Sequence, residues 1–82
     1  MRTELLSPEQ AAEILRTHTR KDWVRNDTTI KILKAKIRKN EWIPDLDPIA
    51  IGNCIIRSGH HRLAAIAEGR KSVEVVIWDT HD

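Results

Sequence analysis

Phenylalanine and tyrosine are both missing from this 82-residue chain, whose aromatic share of 4% is three tryptophans. Its core must therefore be built from aliphatic side chains, and Trp23, Trp42 and Trp78 are expected to help fill it. Were they exposed, they would instead read as anchors for a partner, because Trp is enriched at interface hot spots. Cysteine is nearly absent. Cys54 alone excludes an internal disulfide and a cysteine-based zinc site, and it fits a reducing, cytoplasmic setting. With only three glycines and three prolines, no Gly/Ser linker divides the chain, and no repeat or low-complexity tract appears. Apolar runs are a few residues long, far short of the roughly 18 that span a bilayer. The stretch from Met1 to Leu6 lacks the apolar core and small-residue cleavage site of a signal peptide. A single cytoplasmic domain with no membrane partner is expected. A domain of this size buries only about 60% of the surface its unfolded chain exposes, so its core is thin.

Charge is plentiful and unevenly placed. The whole chain carries +2, but residues 20 to 39 hold eight cations and two carboxylates, a net of +6. The flanking segments are mildly acidic. Such a block points to a polyanion or an acidic protein surface, or to a solvated helix face that serves solubility alone. Lys31, Lys34, Lys36, Arg38 and Lys39 are its candidate partner-binding residues.

Ser7-Pro8-Glu9-Gln10 has the grammar of a helix start. Serine caps, proline suits the first helical position, and Gln10 stands three residues on, as a capping box requires. Ala11, Ala12, Ile14 and Leu15 continue at helical spacing to about residue 18. A polar loop over residues 19 to 27 should be pinned by Trp23 and Val24. A second helix begins after Asp27 or Thr28, with Ile30, Leu33 and Ile37 as its apolar stripe and Asn40 as its end. Pro48 to Ile51 and Cys54 to Arg57 read as strands joined by a Gly52-Asn53 turn. Leu63 to Ala67 is helical and stops at Gly69, and Val73 to Trp78 is a last strand. The predicted fold is α+β, a small mixed β-sheet packed with about three helices over residues 1 to 82.

The segment whose chemistry stands out is Ser58-Gly59-His60-His61-Arg62, where a strand turns sharply into a helix. Backbone N–H groups there have no internal partner, and the helix dipole adds roughly half a positive charge, so a phosphate is readily accepted. Arg62 adds a two-pronged donor, and His60 and His61 add donors that respond to pH near neutrality. The bland alternative is that the histidines cap or tether the helix and that Arg62 pairs with a neighbour. Adjacent histidines in a turn lack the spacing of a zinc pair, so no metal site is assigned.

Gly59-His60-His61-Arg62-Leu63-Ala64-Ala65, followed by Gly69 and the strand from Val73 to Ile77, resembles the turn and helix of the ParB/sulfiredoxin superfamily. Leu6-Ser7-Pro8-Glu9-Gln10-Ala11, Asn40-Glu41-Trp42 and Pro48-Ile49-Ala50-Ile51 are similar to upstream segments of small ParB-like proteins found in phage and mobile-element genomes. Some of those are labelled ParB-like nuclease domains. The resemblance implies the sulfiredoxin-like fold and a nucleotide phosphate held by Gly59, His61 and Arg62, with Ser58 and His60 beside them. The cofactor it allows is a nucleoside triphosphate with Mg²⁺, and otherwise none is expected. Two departures narrow it. Sulfiredoxin chemistry needs a cysteine after the glycine, where this chain has His60. The partition proteins add downstream DNA-binding and dimerisation domains, and this chain ends at Asp82, so clamp formation is not expected.

Three functions stay open. The first is a phosphate-directed binding module for a nucleotide or for DNA without sequence preference. The second is an inhibitor that occupies a host protein's surface, with a vestigial phosphate site. The third is a nucleotide-hydrolysing or nuclease enzyme using His60 or His61 as base and Asp45 or Asp47 as metal ligands. No compact carboxylate cluster supports the third. An exposed edge of the small sheet offers one route to self-association.

Overall fold

The computed structural model describes residues 1–44 and 48–80. Asp45 and Asp47, the proposed metal ligands, lie outside the described residues. The chain opens with a strand that its sequence conceals, β1 (Arg2–Leu6). Three of its five residues are polar, and it is a strand because it pairs antiparallel with the last strand, from Arg2 opposite Ile77 to Leu6 opposite Val73. This corrects the expected order, which began with a helix.

Helix α1 (Pro8–His18) starts as its local chemistry dictates. The Ser7 hydroxyl accepts from the Gln10 N–H at 3.1 Å, and the Gln10 side chain accepts from the Ser7 N–H at 2.9 Å. Helix α2 (Asp27–Arg38) is capped by Asn26, whose side chain accepts from the Thr29 N–H. It ends where Asn40 turns left-handed at φ 58°, with the Glu41 N–H donating to the Lys36 carbonyl at 2.8 Å. That is the helix-closing arrangement in which a left-handed residue satisfies the last carbonyls.

Strands β2 (Ile49–Gly52) and β3 (Ile55–Ser58) form a hairpin. Its turn is Asn53-Cys54, one residue later than the sequence predicts, and both residues have positive φ. Gly52 is a buried strand residue, and Cys54 sits exposed in the turn rather than in a strand. Helix α3 (His60–Ala67) and strand β4 (Val73–Thr80) complete the fold.

The sheet order is β1-β4-β2-β3, with β4 parallel to β2 and the other neighbours antiparallel. Among the described residues this is a small α+β domain with three helices and a four-stranded mixed sheet. Period-two alternation on β4 sends Val73, Val75 and Ile77 into the core. There they join Ile49 and Ile56 of the hairpin, Ile30, Leu33 and Ile37 of α2, and Leu63 and Ile66 of α3. Helix α3 is the hub, packed against both α1 and α2. Each fully buried aliphatic side chain contributes on the order of 1.5–3 kcal/mol of transfer free energy. Truncating a central one, as in Leu63→Ala, should cost about 2–5 kcal/mol.

The tryptophans do not fill this core as expected. Trp78 is half exposed on the outer face of the sheet, and Trp23 and Trp42 are only partly buried. Aliphatic residues supply most of the interior, with Trp42 packed partly buried against them and the His60 ring also buried.

Candidate functional site

The turn from Ser58 to Arg62 forms as the sequence predicts, a strand ending in a glycine that starts a helix. Gly59 is left-handed at φ 105°. A Cβ placed on it would stand 2.9 Å from Ile49 Cγ1 and 3.2 Å from the Ile49 Cα. The close backbone approach that glycine permits is therefore taken by strand β2.

Both histidines reach back to the loop between α1 and α2. The His60 ring is buried, and its Nε2 accepts from the Arg20 backbone N–H at 3.2 Å. The His61 Nε2 accepts from the Asn26 N–H at 3.0 Å. Because both donors are backbone amides, Nε2 is the acceptor nitrogen of each ring. Trp23 stands between them, stacked on His60 and edge-on to His61 at 5.3 Å. Burial holds the His60 pKa below the ordinary imidazole value, the charges of Arg20 and His61 add to this, and Asp22 opposes it. Arg62 donates to the Pro48 carbonyl at 3.2 Å and so ties α3 to the entry of β2. Ser58 is exposed at the end of β3. The five predicted residues are thus contiguous, and the side chains of His60, His61 and Arg62 all contact other parts of the chain.

The basic block is divided by helix geometry. At 100° per residue, Lys31, Lys34 and Arg38 share one side of α2, while Lys36 and Lys39 turn away from it. Lys34 and Arg38 line a groove of about 620 Å³ whose opposite wall is the connection from α3 to β4, carrying Glu68, Arg70 and Lys71. Ile37 and Ala65 give it an apolar floor. Glu68 is already engaged, by Lys34 Nζ at 3.5 Å and Arg25 at 2.6 Å. Arg38 and Arg70 have no hydrogen-bond or ion-pair partner among the described residues.

Arg70 and Lys71 are the functional candidates that sequence reasoning missed. They follow Gly69 in an ordinary-looking turn, more than thirty residues from the basic block. Only the packing of α3 on α2 brings them opposite Lys34 and Arg38. Among the described residues, no three His, Cys, Asp or Glu side chains are grouped to hold a metal ion. Compared with family models, curated proteins and solved structures, the chain matches none.

Proposed function

We propose that this chain is a small phosphate-directed binding module that grips nucleic acid, without sequence preference, in the groove between α2 and the α3–β4 connection. The observation that carries this reading is the convergence of Lys34, Arg38, Arg70 and Lys71 from two distant segments around Glu68, a carboxylate that is already paired. Cations gathered along one groove concentrate their field there. Each phosphate they neutralise releases condensed counterions, which drives association. The ParB/sulfiredoxin resemblance belongs to the same reading as a second, nucleotide-phosphate contact at Ser58 to Arg62. What supports it is the start of α3, where glycine provides no capping side chain. The internal contacts of His60, His61 and Arg62 make the groove the stronger of the two.

The test is fluorescence anisotropy of a labelled oligonucleotide across a salt series. Log affinity should fall linearly with log salt, by about 0.7–0.9 for each phosphate contact. Arg38→Ala with Arg70→Ala should flatten the slope by roughly 1.5, whereas Lys36→Ala with Lys39→Ala should leave it nearly unchanged. Binding indifferent to salt, or equal losses from the two pairs, would overturn the groove.

A further inference from the structure

The cationic groove continues past Lys71 into a second cavity of about 330 Å³. Ile37 and Lys71 belong to both. Trp42, Pro44 and Val73 give the smaller cavity an apolar lining, and Asn40, Ser72 and Glu74 give it polar groups. Lys71 Nζ donates to Asn40 Oδ1 at 2.8 Å, which holds the ammonium group at the junction. Trp42 packs against the core, and its indole Nε1 is buried without a partner among the described residues.

The geometry points to a subsite for one unpaired nucleotide of a single strand, its base against Trp42 in the smaller cavity and its flanking phosphates in the larger. This rests on the phosphate-binding reading above and adds to it a choice between single strand and duplex. A nucleobase has a flat apolar face and a polar edge. An indole and a proline suit the face, and the Asn40 amide and Ser72 hydroxyl suit the edge. Bases stacked inside a duplex cannot enter such a cavity, while an unstacked strand presents one base per phosphate. Aromatic contact with a base is tolerant of sequence because every base has a π-face, and Lys71 at the junction places positive charge where the base joins its phosphate.

The experiment compares a labelled mixed-sequence single strand, the duplex of the same length and a free nucleoside monophosphate, all at low salt with the full chain. Single strand should bind about tenfold tighter than duplex, the size expected from one stacked base. Trp42→Leu should remove that advantage and leave duplex affinity unchanged, the duplex serving as the control for folding. Should Trp42→Leu fail to fold, a Trp23→Phe, Trp78→Phe protein leaves Trp42 as the sole emitter. Its fluorescence should be quenched by single strand and not by duplex. Equal affinity for the two forms with no quenching would overturn the base subsite while leaving the phosphate groove standing. Absence of binding by either form would defeat both. Displacement of the strand by stoichiometric nucleoside monophosphate would overturn the strand as occupant in favour of a free nucleotide.

Discussion

The indole of Trp23 lies flat on the imidazole of His60, with ring centroids 5.0 Å apart and planes 16° from parallel. Together with the two backbone N–H donors, this stack is how α3 holds the loop that leads into α2. The groove wall formed by α2 is therefore positioned in part by two imidazoles on α3.

That dependence predicts a stability that falls on mild acidification. The folded-state pKa of His60 is lowered, so below about pH 6.5 the unfolded chain takes up the proton first. Its stabilisation is complete above that pH and is lost as pH falls through the folded-state value. Protonation must also break the Nε2 bond to the Arg20 N–H and set a cation beside Arg20, with Asp22 in opposition. Urea unfolding between pH 7.5 and 5 should show the loss, at no more than about 1.4 kcal/mol per pH unit from this residue. Most carboxylates titrate lower, which separates the windows. His60→Phe should flatten the profile; an unchanged profile would remove His60 as its source.

Gly59 gives a prediction that separates two kinds of glycine. If only its left-handed φ mattered, Asn would replace it at little cost, since Asn tolerates that region. Here any Cβ also meets Ile49, including its Cα, and backbone cannot swing aside as a flexible side-chain end can. Gly59→Ala and Gly59→Asn should therefore both lose about 2–5 kcal/mol, from strain and overpacking combined. Recovery of near-native denaturant midpoints by Asn alone would show that φ dominates.

What the sequence discloses in this fold is what is decided locally. Ser7 and Gln10 cap α1 from within one turn of helix, and Asn40 closes α2 two residues beyond its last turn. Strand β1 was hidden because Arg2-Thr3-Glu4 has no alternation of its own and takes its structure from β4. The hairpin register slipped by one because Gly52-Asn53 satisfies turn rules as well as Asn53-Cys54 does, and burial of Gly52 decides between them. The same division runs through the site. Lys34 and Arg38 were visible as a charged helix. Arg70 and Lys71 were not, and neither were the amides of Arg20 and Asn26 that engage the histidines, because those partners are joined only by packing.

Among the described residues, Glu68 is the single carboxylate lining the groove, and it occupies Lys34. Glu68→Gln should release Lys34 and Arg25 toward an incoming phosphate and raise net positive charge by one. Oligonucleotide affinity should rise, with the salt slope steeper by roughly 0.7–0.9 if Lys34 gains one contact. Both ion pairs are well exposed, so the cost to stability should stay within about 1 kcal/mol. An affinity that falls would mean that Glu68 positions these cations for binding and does not compete for them.

Arg62 distinguishes the two places where phosphate was expected. Its guanidinium donates to the Pro48 carbonyl from a partly buried position, and a hydrogen bond from a charged donor is worth about 1.5–3 kcal/mol. Arg62→Ala should lower the denaturation midpoint by a corresponding amount, because the Pro48 carbonyl loses this donor and α3 loses its tie to the start of β2. Measured well below the melting temperature, oligonucleotide affinity and its salt slope should stay as they were, since the groove lies between α2 and the far end of α3. Nucleoside triphosphates are the complementary probe. Near 100 times its dissociation constant, a ligand adds about 2.7 kcal/mol of apparent stability. A triphosphate-induced thermal shift that vanishes in Arg62→Ala would place a phosphate at the Gly59 turn, and a salt slope reduced by about one would place Arg62 among the nucleic-acid contacts. A loss of stability with neither effect fixes Arg62 as the strap between helix α3 and strand β2.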